Sequence, residues 1–130
     1  HGVSVSKPDK EIRDECIYQA SKHGLLFRED DLDRCPVYHI HRGRDARKKN
    51  TIAEILKDLG LYGKHSRDKF IPSVYLTASK EARIQLLAGL LDTDGSYLTN
   101  FFEFSSSSEA LMDDFLYLVR SLGFAAYKAE

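Results

Sequence analysis

The sequence predicts an α+β fold, because strand-like and helix-like patterns follow one another along its 130 residues. Alternating segments such as "VSVS" stand beside stretches whose apolar residues recur every three or four positions. A strand–helix–glycine unit near the start of the chain also recurs near its end. The hydrophobic content of 42% allows a real core, so one compact domain, or one part of a larger protein, is expected.

The first half of the chain predicts three strands and two helices. Strand patterns occur at 3–6, 25–29 and 37–41. A helix is expected from about 8 to 23, since Pro8 suits a first turn and Gly24 a C-terminal cap. A second helix is expected from Thr51, because "TIAE" has the capping-box pattern and an apolar stripe continues to Gly60.

The second half predicts two further helices around a strand. Pro72 in "KFIPSVYL" argues for irregular or edge structure. Ser79 can cap a helix that extends to about residue 95. The strand "NFFEFS" is then followed by the capping box "SSSE", with Ser106 as its first residue, and by a helix that ends before Gly123.

The repeat is seen when residues 3–27 are placed on residues 102–126 without a gap. Strand residues, acids and glycines then coincide, including Asp14 with Asp113 and Gly24 with Gly123. This conjunction predicts a duplicated unit. It also predicts that a helix equivalent to 79–95 precedes His1, and that the rest of the second copy follows residue 130.

Charge is unevenly distributed, although the formal net charge is only −1. Residues 42–69 contain nine Lys and Arg against four acids, which leaves a net of +5. Such local basic density can attract a polyanion. A solvated loop is the alternative.

Composition excludes several other classes of protein. No apolar run approaches the roughly 20 residues that a membrane-spanning helix needs. The two cysteines make neither a disulfide framework nor a zinc site, and Cys16 is expected in the core. An intracellular, reducing setting without a membrane partner is therefore expected.

The stretch "LLAGLLDTDGSY" (86–97) departs from an ordinary amphipathic helix in having a central glycine. Glycine costs roughly 1 kcal/mol relative to alanine inside a helix. Ala88 and Gly89 leave a bare patch, which would allow another helix backbone to approach closely. A poor helix or a local kink is the alternative.

The same stretch ends in two acids at the negative end of the helix dipole. Repulsion there costs roughly 0.3–1 kcal/mol for each acid, and no Lys or Arg occurs from Ile84 to Phe101. A divalent metal with the phosphates it bridges would supply the missing positive charge. Alternatively, Asp92 makes local cap bonds and Asp94 lies in solvent; the residues alone leave both open.

Residues 87–95, "LAGLLDTDG", resemble the signature of the LAGLIDADG homing endonucleases. The preceding "KFIPSVYLTASKEARIQ" is similar to the segment before the second signature in intein-embedded members. The resemblance implies αββαββα half-domains, in which curved antiparallel sheets carry helices on one face and straddle DNA. Residues 1–76 would be the remainder of a first half-domain without its signature helix, and 77–130 the start of a second.

The resemblance also implies roles for individual residues. Asp94 would be the catalytic, metal-ligating acid with Mg²⁺ as its cofactor, and Asp92 a structural cap near the helix end. Lys69 matches a lysine implicated in catalysis, although in two-signature members it would serve the site of the other signature. The implied function is site-specific hydrolysis of double-stranded DNA.

DNA contacts are expected from the strand "VYHIH" and the basic loop that follows it. The candidates are His39, His41, Arg42, Arg44, Arg47, Lys48 and Lys49. A metal site at His39-x-His41 is disfavoured because no third ligand stands nearby.

Two chains could pair their signature helices through Ala88 and Gly89, giving a homodimer. The alternative functions are a non-cleaving DNA- or RNA-binding module, a maturase-like relative, and an inactive fragment.

Overall fold

The computed structural model describes residues 2–129 and confirms the α+β class. Its strands are β1 (Gly2–Ser6), β2 (Leu26–Asp30), β3 (Val37–His41), β4 (Gly95–Leu98) and β5 (Phe101–Phe104). Its helices are α1 (Lys10–Lys22), α2 (Thr51–Asp58), α3 (Ser73–Leu76), α4 (Lys80–Asp94) and α5 (Glu109–Ser121). The chain divides into two compact units, His1–Tyr62 and Gly63–Glu130. None of the helices in the described range is long and apolar enough to cross a membrane.

The first unit is an antiparallel sheet of order β1–β3–β2 with α1 against one face. Tyr38 and Ile40 of the central strand are 1% and 5% exposed and form the core with Cys16, Ala20 and Leu25. Because side chains alternate along a strand, the neighbouring residues of β3 lie on the opposite, outer face.

The N-cap of helix α2 lies one residue earlier in the chain than the sequence pattern predicted. The N-cap is Asn50 rather than Thr51: the Asn50 Oδ1 accepts a hydrogen bond from the Ala53 N–H at 3.1 Å. The Asn50 Nδ2 also donates to the Ile40 carbonyl at 3.0 Å. Asn50 is buried, and its side chain both caps α2 and joins the start of the helix to β3.

The second unit packs the β4–β5 hairpin, α3, α4 and α5 around one core. Ile71, Phe104, Leu111, Phe115 and Leu118 are buried there, and the rings of Phe104 and Phe115 stack with centroids 4.1 Å apart. Strand β4 was not anticipated from the sequence, since "GSYL" is too short to show a clear alternation.

Helix α5 also differs at its start from the predicted capping box. Its N-cap is Ser108, whose Oγ accepts from the Leu111 N–H at 3.1 Å, and not Ser106. Ser106 instead accepts from the Ser108 N–H at 3.0 Å. The segment around Pro72 is irregular, as expected, and leads into the four-residue helix α3.

The duplicated pattern is visible in the two units. Helices α1 and α5 both have 13 residues, and an offset of 99 superimposes their bounds. Gly24 and Gly123 both have positive φ, at 63° and 88°. The hydrogen bonds around them also match, since Gly24 N–H donates to the Ser21 carbonyl and Gly123 N–H to the Arg120 carbonyl. The assignment of half-domains to 1–76 and 77–130 stays a prediction.

Candidate functional site

Helix α4 presents two different faces along its 15 residues. Ser79 caps it as expected, with the Ser79 Oγ accepting from the Ala82 N–H at 3.2 Å. The leucines of the signature are half-buried and pack on the core of the second unit: Leu86, Leu87, Leu90 and Leu91. Ile84, Ala88 and Asp92, spaced by four residues, are exposed on another face.

The small residues of α4 lie on open surface. A Cβ built on Gly89 would meet no atom within 4 Å, and Ile84 nearby is 45% exposed. Nothing in the described range of the chain therefore requires glycine at position 89. The surface over Gly89 therefore leaves space for the close approach of a second helix backbone.

The C-terminal end of α4 carries the two acids that the sequence singled out. Asp92 and Asp94 are both exposed. Residues two apart on a helix do not face each other, so the fold does not bring these carboxylates together. The Thr93 hydroxyl between them donates to the Gly89 carbonyl at 2.8 Å and lies 3.3 Å from that of Leu90. The end of the helix is therefore ordered by Thr93, and Asp94 is its last residue.

Lys69 lies in the irregular segment after a 3-10 turn at Ser66–Asp68, with its side chain exposed. The backbone beside it is anchored to α5. The Ser108 Oγ donates to the Lys69 carbonyl at 2.5 Å, and the Ile71 N–H donates to the Asp114 Oδ2 at 3.0 Å. Sequence reasoning missed both anchors; the capping pattern at 106–109 was a partial signal for Ser108.

Within residues 2–129 no group of three or more His, Cys, Asp or Glu side chains could hold a metal ion. Mg²⁺ is nevertheless commonly bound by one or two carboxylates together with waters and substrate phosphates. The exposed carboxylate of Asp94 fits that donor chemistry, whereas His39 and His41 do not form a site of their own.

The outer face of the first unit's sheet carries the polar strand residues. His39 and His41 lie there with Ser4 and Arg28, around a shallow open cavity of about 220 Å³. The His39 Nε2 lies 2.8 Å from the Asp30 Oδ2, and its Nδ1 lies 3.0 Å from the Ser4 Oγ. Sequence analysis did not single out Arg28, which the alternation of β2 places on this same face.

The basic loop after β3 contains an internal scaffold. The Arg42 Nη1 donates to the carbonyls of Ala46 and Lys48, at 3.0 and 3.1 Å. The Asp45 Oδ1 accepts from the Arg47 N–H at 2.9 Å. The remaining candidate contacts of this loop have exposed side chains: Arg44, Arg47, Lys48 and Lys49. Arg42 thus folds the loop, and the other four basic groups reach solvent.

This chain is similar to one protein family and to one curated protein among the known proteins compared. Residues 81–130 match the model of a family described as "LAGLIDADG-like domain". A protein named "Replicative DNA helicase DnaB", from Mycobacterium intracellulare, is 39% identical over 75 residues. These residues are 57% of this chain and 12% of the helicase, so the chain spans only a small part of that relative.

Proposed function

Because residues 81–130 match the model of the LAGLIDADG-like domain family, we propose that the chain is part of a metal-dependent, site-specific endonuclease for double-stranded DNA. One observation carries the proposal. The last acid of the signature, Asp94, is exposed at the C-terminal end of α4, where the helix leads directly into β4. An exposed acid at this position lies outside the core, and its carboxylate has the donor chemistry that Mg²⁺ prefers.

Each candidate catalytic residue has a separate task in phosphodiester hydrolysis. The oxygen of a water molecule bonds to phosphorus, the bond from phosphorus to one sugar oxygen breaks, and that oxygen leaves as an alcohol. The Asp94 carboxylate would hold Mg²⁺, which when bound supplies positive charge to the phosphate oxygens. The Lys69 ammonium, on its exposed side chain, would stabilise the negative charge that develops on a phosphate at the site of the other signature.

DNA binding is proposed for the outer sheet face and the basic loop of the first unit. Arg44, Arg47, Lys48 and Lys49 would contact phosphates, because their side chains are exposed on an ordered loop. His39, His41 and Arg28 on the strands would lie against the bases, where side chains can read hydrogen-bonding edges. Arg42 contributes to this surface through the shape of the loop.

A homodimer would complete the site. The exposed α4 face of Ile84 and Ala88, with open space over Gly89, accepts a second copy of the same helix about a twofold axis. Such pairing would place an Asp94 from each chain near the same axis. Two cuts in two strands require two such acids.

An origin in an intein-like intervening element, working inside the cell, is also proposed. The helicase relative resembles this chain over only 12% of its length, as expected if one inserted segment carries the similarity. Mass spectrometry of the product from the complete reading frame tests this origin. An excised endonuclease segment and a ligated host protein are expected, and an unspliced full-length product would contradict the origin.

The nuclease proposal is tested on a duplex that the chain selects from a randomised DNA library. With Mg²⁺ the wild-type chain should cut this duplex, and Asp94→Asn should lower the rate by at least about 100-fold while binding persists. Asp92→Asn is the matched control, since it removes the same charge two residues earlier and should cut at close to the wild-type rate. Equal cleavage by Asp94→Asn and wild type would refute the metal role.

A non-cleaving DNA-binding module is the second candidate. The described residues form no cluster of three or more possible metal ligands, and Asp92 and Asp94 lie on different sides of α4. A single carboxylate at the end of the helix favours this candidate. Retained binding with no nicking in Mg²⁺, Mn²⁺ or Ca²⁺ would support this candidate over the nuclease.

A further inference from the structure

We propose that Ser108, the N-cap of α5, and Asp114 within it are positioning residues for Lys69, and that they fix the point on the backbone from which its side chain extends. This inference rests on the proposed nuclease function and adds two residues to it. Neither belongs to the signature or to the segment "KFIP". Both belong to the element whose apolar residues Leu111, Phe115 and Leu118 lie in the core of the second unit.

The two anchors hold consecutive peptide groups. The Lys69 carbonyl belongs to the peptide between residues 69 and 70, and the Ile71 N–H belongs to the next. Ser108 holds the first at 2.5 Å and Asp114 the second at 3.0 Å. These two peptides flank the Cα of Phe70, and the plane of the first contains the Cα of Lys69. Fixing both to one helix therefore holds the Lys69 Cα in place, and the backbone rotation at Lys69 and its side-chain torsions stay free.

Burial makes these bonds hard to replace by water. Ser108 is 0% exposed and Ile71 is 4% exposed. The Ser108 hydroxyl is fully used, because it donates to the Lys69 carbonyl and accepts from the Leu111 N–H. A buried N–H or C=O that loses its partner costs about 1–3 kcal/mol, so the anchored conformation of the Lys69 segment is strongly preferred.

The repeated helix α1 shows that such anchoring is not needed to build the fold. An offset of 99 places Asp9 at the position of Ser108, and Asp9 makes no side-chain cap bond. It places Glu15 at the position of Asp114, and Glu15 accepts a hydrogen bond from Gln19 of its own helix, 2.8 Å away. The α5 anchors are therefore specific to the copy that adjoins Lys69.

Pro72 explains why the anchor stops at Ile71. Proline has no N–H to donate, so Ile71 supplies the last backbone donor before α3 begins. An irregular segment without strand or helix partners would otherwise leave the Lys69 backbone free to move. The Asp114 carboxylate accepts the hydrogen bond from the Ile71 N–H that the carbonyl of a neighbouring strand would otherwise accept.

The structural part of the inference is tested by amide hydrogen exchange. Asp114→Ala should accelerate exchange of the Ile71 amide by at least about tenfold, and Asp114→Asn, which retains an acceptor oxygen, should restore protection. Asp113→Ala is the matched control: the same charge is lost from the adjacent residue, whose own contact is an exposed ion pair to Lys128 at 3.6 Å. Unchanged Ile71 exchange in Asp114→Ala would overturn the anchor.

The functional part is tested by a double-mutant cycle on the cleaved duplex. Asp114→Ala should lower kcat by about tenfold or more with little change in KM, because a misplaced catalytic group affects the transition state. In a Lys69→Ala background the same substitution should lower kcat no further. Ser108→Ala should behave in the same way, and Asp114→Asn should restore kcat.

The outcomes separate this inference from the proposed function. Cleavage by the wild-type chain, with losses from Asp114→Ala and Lys69→Ala that multiply, would overturn the positioning role alone. Absence of Mg²⁺-dependent cleavage by the wild-type chain would overturn the nuclease proposal and the positioning role together. An equal fall in kcat for Asp113→Ala and Asp114→Ala would also overturn the positioning role, because the loss of negative charge on α5 would then explain both falls.

Discussion

The backbone of Gly95 lies so close to Leu91 that a Cβ at position 95 would stand 2.7 Å from the Leu91 carbonyl oxygen and 2.8 Å from its Cα. The φ of Gly95 is −90°, so its backbone torsions are open to any residue. The glycine is required by the close approach of the chain as α4 turns directly into β4. This contact fixes the end of the helix, and with it the position of Asp94.

Gly95→Ala should therefore destabilise the second unit and displace Asp94. The clash is with backbone atoms, which cannot move aside cheaply, so a loss of about 1–3 kcal/mol in the free energy of unfolding is expected. Urea denaturation measures the change. Gly89→Ala is the matched control in the same helix: its Cβ meets no atom, so it should raise stability by up to about 1 kcal/mol. Equal effects of the two substitutions would contradict the close-approach argument.

A side chain added at position 89 should weaken the association of two chains, although Gly89→Ala should stabilise the monomer. Gly89→Val should weaken the dimer by at least about tenfold, because a branched side chain holds the two helix backbones apart. Sedimentation equilibrium measures the dissociation constant. Ala110→Val, at an exposed position of α5, is the control and should leave it unchanged. A wild-type chain that stays monomeric at high concentration would exclude pairing through α4.

Salt dependence should identify the residues that contact phosphates. Arg44→Gln and Lys48→Gln should each reduce the slope of log K against log salt concentration by about one, since one fewer counterion is released. Lys10→Gln on α1 removes an exposed charge away from the basic loop and should leave the slope unchanged. Fluorescence anisotropy with labelled duplex at several salt concentrations supplies the slopes. Equal slopes for all three variants would place the phosphates elsewhere.

Much of the fold could be predicted from local patterns. The presence of α1 and α5 follows from apolar periodicity and a glycine stop, and the two helices agree with the repeat in the sequence, although α1 begins at Lys10 and not near residue 8 as predicted. Capping was less predictable, because several neighbouring residues can serve. Asn50 and Ser108 are the caps since each also satisfies a distant carbonyl, at Ile40 and Lys69. No pattern within four residues contains that information.

The candidate site divides in the same way. Asp94 and Lys69 could be named from motifs, because the signature is contiguous in sequence. Asp114 could not, since its bond to Ile71 joins residues 43 positions apart. The outer face of the sheet was also undetermined until the burial of Tyr38 and Ile40 placed His39 and Arg28 on the other side. Contacts of long sequence separation decide both points.

Alkaline pH should destabilise the first unit through two buried acids. Burial raises the pKa of the Cys16 thiol and of the Tyr38 phenol, because the low-dielectric core disfavours the charged forms. The unfolded chain loses these protons from about pH 8.5 and pH 10 upward. Over that range the folded state retains more protons, so stability falls as pH rises. Thermal unfolding followed by circular dichroism from pH 7 to 11 should show the decline.

The same pH titration with substituted chains assigns the decline to these two groups. Cys16→Ala and Tyr38→Phe should each flatten the fall in thermal midpoint above pH 8.5, because neither replacement has a proton to lose there. Cys35→Ala and Tyr18→Phe are the matched controls, since Cys35 is only partly buried and Tyr18 is 59% exposed. Their curves should keep the wild-type slope. A slope that flattens equally in all four variants would show that the alkaline transition has another cause than burial of Cys16 and Tyr38.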